Sequence, residues 1–320
     1  MQHLLSMNGV EGSYLRVFGC DCYRCCSAQR GANLSASLLS VDDTGQTVSH
    51  ILFDAGAGVV DSLIDNPFLR RTQARLDWIV LTHWHPDHVI NLNRLLTTYL
   101  HHREAKGLDT ARIPLWCRSG TGEWLQRRQD FEWDNLITPH QSGEYEPPGV
   151  VLPPLPIRLP GVTITPVTVS HRNADRRADR PTQVRYTCAA YVIATAVSRT
   201  VLLWDIDSEN DWLARPQTAA EQTAVAFLSH ADHLFIDTTF WQAKDHPTNH
   251  ASFTHTQRYA RVLQPRHTHL VHISGHPDGA GNPGYGWSNT RWQKEAQHVW
   301  LAEGLPGLVS VPAMGDTFSL

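Results

Sequence analysis

Short apolar runs of strand length recur along the chain, broken by polar turns and separated by stretches with apolar residues at helical spacing. Residues 3–7 open as a strand, closed by a turn over 8–12, and a second apolar run follows at 14–18. Residues 33–39 and 50–53 read as paired strands across the polar turn Asp42-Asp43-Thr44-Gly45. Residues 59–72 predict a helix, 78–81 a buried strand, and 89–104 a helix whose Val89, Leu92, Leu95, Leu96 and Tyr99 share one face. A brief strand at 115–118 and a helix at 122–128 come next, with Trp124 and Trp133 as packing residues.

The proline-rich stretch 147–160 has the look of a linker, yet strands resume at once over 162–171, 187–194 and 200–204. Helices are expected at 219–229 and 254–263, strands at 233–239 and 267–273, and a last hairpin over 308–320. Strands alternating with helices indicate an α/β class. The chain of 320 residues suits one large domain built from two halves, approximately 1–150 and 151–320, joined at the proline-rich stretch.

A net charge of −4 supplies no whole-protein field for nucleic acid or an anionic membrane. No apolar run approaches membrane-spanning length, and residues 1–12 lack the features of a signal peptide, so a cytoplasmic protein is expected. A homodimer is compatible with the sequence.

The densest chemistry lies in Thr82-His83-Trp84-His85-Pro86-Asp87-His88, directly after the strand at 78–81. His83 and His85 flank Trp84, so in an extended conformation both imidazoles fall on one side, while Asp87 and His88 follow the turn. Imidazole and carboxylate together suit zinc, manganese or iron, and a mixed set that leaves a coordination place open is catalytic. Further donors stand at strand ends: His171, Asp205 after the apolar run Val201-Leu202-Leu203-Trp204, and His272. A carboxylate in the position of Asp205 is expensive to bury without a cation. Asp207 is the weaker alternative.

Cys20, Cys22 and Cys25 form C-x-C-x-x-C, the spacing of a structural zinc site, with His276 as candidate fourth ligand and Cys26 left over. Arg172, Arg176, Arg177, Arg180 and Arg185 crowd the segment after His171. They read either as a solvated surface loop or as a clamp for a phosphate.

The run H-x-H-x-D-H at 83–88, followed in order by His171, Asp205 and His272, resembles the metallo-β-lactamase superfamily of binuclear metallohydrolases. With C-x-C-x-x-C near the N-terminus, the chain is similar to PhnP-type phosphoribosyl cyclic phosphodiesterases, and its Phe235-Ile236-Asp237-Thr238-Thr239-Phe240-Trp241 segment is similar to PqqB-like proteins. Three residues separate His272 from His276 where the PhnP-type pattern has two, and the arginine segment is longer than in compact members. The resemblance implies a four-layer αββα sandwich with a structural zinc loop. It implies two active-site divalent ions, zinc or manganese with iron possible, one on His83, His85 and His171, the other on Asp87, His88 and His272, with Asp205 shared. It also implies Asp54 as a support for the metal loop, Asp87 and His250 as catalytic residues with His250 donating a proton, and a small anionic, phosphorylated substrate. Lactone or carboxylic-ester hydrolysis and a PqqB-like iron-dependent oxidation remain open on the same residues.

Overall fold

Strand-forming runs pair into two sheets. The computed structural model describes residues 1–28, 31–70, 73–143, 146–176, 184–274 and 276–320. In chain order the strands are β1 (Gln2–Gly9), β2 (Ser35–Val41), β3 (Thr47–Phe53), β4 (Trp78–Val80), β5 (Ile113–Cys117), β6 (Ile137–Gln141), β7 (Thr163–Val169), β8 (Cys188–Ala194), β9 (Arg199–Leu203), β10 (His233–Asp237), β11 (His267–Val271), β12 (Leu308–Ser310) and β13 (Thr317–Ser319). They fall into two compact units. The first comprises Met1–Val10, Gly31–Tyr145 and Ala313–Ser319; the second comprises Glu11–Arg30, Glu146–Pro312 and Leu320.

The sheet of the first unit runs β13-β1-β2-β3-β4-β5-β6, antiparallel from β13 to β3 and parallel from β3 to β6. The β2–β3 turn is set by Asp42, whose Oδ1 accepts the backbone N–H of Thr44 and of Gln46, each at 2.9 Å, and by Gly45 at φ 83°. Every residue of β2 is buried, as expected of a strand covered on both faces. Leu39, Leu52, Ile79, Leu96 and Leu115 are part of the core of this unit.

Two helices differ from expectation. The one predicted over 59–72 spans only Val59–Asp65, because Asn66 precedes Pro67 and takes an extended ψ of 121°. Its side chain turns away to Ser6 Oγ (3.1 Å) and accepts the Phe68 N–H (2.9 Å). The one predicted over 89–104 is broken into Pro86–Val89 and Leu92–Ala105. At the break the Asn91 N–H leaves the helix ladder for Ala55 O (2.9 Å). A short helix, Asp130–Asn135, and the strand β6 escaped the pattern.

The sheet of the second unit runs β12-β11-β10-β9-β8-β7, parallel from β12 to β9 and antiparallel from β9 to β7. Helices Ala219–Leu228, Phe253–Leu263 and Asn289–Ala302 belong to it. The first two begin in capping boxes, Thr218 with Glu221 and Ser252 with His255.

The expected terminal hairpin over 308–320 does not form. β12 pairs parallel with β11, whereas β13 pairs antiparallel with β1. β1 and β11 would otherwise present unpaired edges, and each takes one short strand. Among the described residues no helix is long and apolar enough to cross a membrane.

Candidate metal centre

Most of the ligand-type residues follow the carboxyl ends of parallel strands, which is where open α/β sheets hold their ligands, and His171 follows the antiparallel edge strand β7. In the first unit, Asp54 directly follows β3 and β4 leads into the 83–88 loop. Asp54 is fully buried and adopts φ 59°, a left-handed conformation unusual for a residue with a side chain. Its Oδ1 accepts the Thr82 N–H (2.8 Å), and its Oδ2 accepts the Thr82 hydroxyl (2.8 Å) and His88 Nδ1 (2.8 Å). Burial raises the Asp54 pKa, against the opposing effect of His88 and these donors.

With Nδ1 of His88 engaged, its Nε2 stands 3.4 Å from Asp87 Oδ2. A tetrahedral ion about 2.05 Å from two ligand atoms separates them by about 3.3 Å, so this pair fits a shared ion. His83 is buried with its ring 4.5 Å from that of His85 and 4.3 Å from that of His88. Trp84 stacks on Trp124 at 5.0 Å, which gives the intervening side chain its own packing surface.

In the second unit, His171 follows β7 and is buried. Its backbone N–H donates to Asp175 Oδ2 (2.9 Å), and Asp175 Oδ1 accepts the Thr187 N–H (2.7 Å). Asp205 follows β9 and His272 follows β11, both buried and both left-handed, at φ 51° and 62°. His272 Nε2 lies 3.2 Å from Asp205 Oδ1, again the separation of two atoms on one ion. A relay fixes that ring. His272 Nδ1 is 2.8 Å from Thr239 Oγ1, whose hydroxyl donates to Asp237 Oδ1 at 2.8 Å. Nδ1 therefore carries the proton, and the Nε2 lone pair points at Asp205.

Asp237 Oδ2 is 2.9 Å from His250 Nδ1, so one buried carboxylate orients both histidines. The His250 ring stacks on His272 (4.7 Å) and lies 5.0 Å from His171. His171, Asp205 and His250 each offer a ligand-type atom within 4.8 Å of the others. Asp207, the alternative to Asp205, is committed elsewhere: it accepts Ser170 Oγ (2.7 Å) and the N–H groups of Arg172 and Glu209 (each 2.9 Å).

Cys20, Cys22 and Cys25 converge on His276, whose Nε2 lies 3.5, 3.3 and 3.2 Å from their sulfur atoms. With zinc–sulfur bonds of ~2.3 Å and a zinc–nitrogen bond of ~2.05 Å, a tetrahedral site calls for about 3.5 Å. The donors thus fit a structural zinc, and the extra residue between His272 and His276 does not prevent it. Cys26 is exposed and outside the set.

Of the arginines, Arg172 and Arg176 line a cavity of about 200 Å³ together with Ser170, Tyr186 and Glu209. Arg185 is half-buried and donates its backbone N–H to Asp175 O (2.9 Å). Arg177 and Arg180 lie outside the described residues. Thr82, Asp175, Thr239 and Gly12 have no place in the motif yet support the ligands. A Cβ at Gly12 would lie 2.8 Å from His272 O and 3.0 Å from two of its ring atoms. Asp237 did carry a signal, an acid closing the apolar run Leu234-Phe235-Ile236, the same signal that marks Asp205.

Residues 49–273 match the sequence model of the beta-lactamase superfamily domain. The chain belongs to this superfamily. Among solved structures it is similar to the metallo-β-lactamase fold protein YhfI from Bacillus subtilis, at 17% identity and a TM-score of 0.65 over 100% of both chains. It is similar to a diphosphatase from the PhnP family, at 19% identity and 0.63, covering 100% of this chain and 98% of that one. It is similar also to zinc-bound PqqB from Methylobacterium extorquens, at 15% identity and 0.64, covering 99% and 100%. No curated protein matches the chain in sequence. At these identities the likeness is one of fold, and the chain has the metallo-β-lactamase fold that its H-x-H-x-D-H motif implied.

Proposed function

We propose that this superfamily member is a metal-dependent phosphodiesterase that opens a small cyclic phosphate ester. In this reading His83, His85 and His171 hold one divalent ion and Asp87, His88 and His272 a second, with Asp205 shared. The reading rests on superfamily membership and on donor pairs whose separations suit an ion within each unit. Bound ions would polarise a phosphoryl oxygen and make hydroxide available near neutral pH.

The chain's own residues do the rest. Asp54 and Thr239 keep Nδ1 of His88 and of His272 engaged, so both rings present Nε2. His250, held through Nδ1 by Asp237, presents Nε2 to protonate the leaving alkoxide, a role worth typically ~100- to 10,000-fold in rate. The observation that favours a phosphate over a carboxylic ester is the cavity lined by Arg172 and Arg176, whose lining includes both chain neighbours of His171, Ser170 and Arg172. Guanidinium groups pair with phosphoryl oxygens in bidentate fashion.

The test is a comparison of kcat/KM of the zinc- or manganese-loaded protein on a ribose cyclic phosphate and on a lactone of matched size. The cyclic phosphate is expected to be preferred, and Arg172→Ala to lose about 10- to 100-fold on it while leaving lactone turnover unchanged. A preference for the lactone, untouched by Arg172→Ala, would instead establish the carboxylic-ester reading.

A further inference from the structure

The second unit holds another histidine cluster that the proposed reaction does not use. β10 and β11 run parallel with His233 opposite His267, so these two side chains share a face, and His269, two residues on, joins them. The three rings pack together, His267 on His269 at 4.1 Å and His233 on His269 at 5.2 Å, with Phe235 stacked beneath His269 at 4.4 Å. One ring nitrogen from each lies within 4.8 Å of the others.

We propose that His233, His267 and His269 bind a divalent transition-metal ion, separate from the H-x-H-x-D-H ligands and from the cysteine site. Three observations support it. His233 Nδ1 and His269 Nε2 are 3.0 Å apart. Two imidazole nitrogens about 2.05 Å from one ion stand about 2.9 to 3.3 Å apart for ligand angles between square and tetrahedral. Ser310 Oγ on β12 lies 3.0 Å from His269 Nδ1 and 3.0 Å from His267 Nε2. Ligating histidines characteristically have such a partner on the second ring nitrogen. Burial lowers the pKa of all three, which favours the neutral form that coordinates.

The cluster sits at the amino ends of β10 and β11, whereas Asp237 and His272 lie at their carboxyl ends. Five residues of strand separate His267 from His272, about 16 Å. His267 and Ser310 also line a cleft of about 370 Å³ beside Trp300 and Leu305, which gives an ion a way in from solvent. An all-imidazole set suits zinc, copper, nickel or cobalt rather than magnesium or calcium. Bound there, the ion would tie β10 to β11.

The experiment is equilibrium dialysis of the full chain, resident metals retained, against micromolar Zn²⁺, with bound metal counted. Wild type is expected to hold one equivalent more than His233→Gln or His267→Gln, both at half-buried positions. Asp87→Ala and Cys22→Ala should each retain this extra equivalent. Equal zinc in wild type and in folded histidine variants would overturn the site. Should the variants not fold, histidine ring ¹⁵N shifts of the wild type decide. Zn²⁺ should move three ring systems beyond those of the resident sites, and no such movement would show that the cluster is a hydrogen-bonded relay without an ion.

Discussion

His50 is as buried as His88, yet its surroundings give it a different chemistry. It lies on β3 with Nε2 2.9 Å from Ser37 Oγ and Nδ1 against the Arg75 carbonyl. Burial pushes its pKa down to about 4, with the Arg75 carbonyl partly opposing. The unfolded chain takes up a proton near pH 6.5, whereas the folded protein refuses it until about 4. Stability is thus lost as pH falls from about 6.5 towards 4, by about 2 kcal/mol between pH 7 and pH 5 from this group. Urea unfolding at those two pH values should show that loss in wild type and about 2 kcal/mol less of it in His50→Asn; equal losses would contradict the assignment. At this scale the sequence reveals which residues are ligand-type but not their partners. The H-x-H-x-D-H motif marks His88 and not His50, which lies mid-strand on β3, but only the structure shows the Asp54 carboxylate that engages Nδ1 of His88. Thr239 and Asp175 likewise act through hydrogen bonds between residues distant in sequence, which no local pattern records.

The 83–88 loop, which carries candidate metal ligands, is held by the turn that follows β3. The Ala55 N–H donates to His88 O (2.7 Å), and Asn91 returns its own N–H to Ala55 O (2.9 Å) and its side-chain amide to Gly56 O (2.8 Å). Gly56 is required by this close approach, since a Cβ there would fall 1.8 Å from Asp87 O. Gly56→Ala must therefore displace Asp87 and His88. A loss of about 10- to 100-fold in active-site metal affinity is expected, the size of effect seen when a ligand loses its support. Isothermal titration with Zn²⁺ measures it, and unchanged affinity would show that the loop does not depend on the turn. Strands were legible because their apolar runs are short and bounded by turn residues. The helix at 59–72 was overextended because Asn66-Pro67 stops it while the apolar spacing continues. The terminal hairpin was misread because two adjacent strand-like segments pair with different sheets, a matter of which edges are open rather than of local pattern.

Across the whole chain, the ligand-type residues recur at strand ends in both units, most of them parallel strands, and their order along the sequence is that of the superfamily resemblance. The two left-handed candidate ligands, Asp205 and His272, and the left-handed Asp54 each carry about 1 to 3 kcal/mol of backbone strain. Such strain persists where a site over-determines its residues, which accords with a binding function at these positions. In the proposed function these residues serve hydrolysis at phosphorus. The decisive experiment is phosphorus NMR of the metal-loaded protein with a ribose cyclic phosphate in ¹⁸O-labelled water, run beside Asp87→Ala. Wild type is expected to open the ring to a phosphate monoester carrying one ¹⁸O on phosphorus, and Asp87→Ala is expected to open none. No ring opening by wild type, label on carbon instead of phosphorus, or equal rates in the two proteins would contradict it.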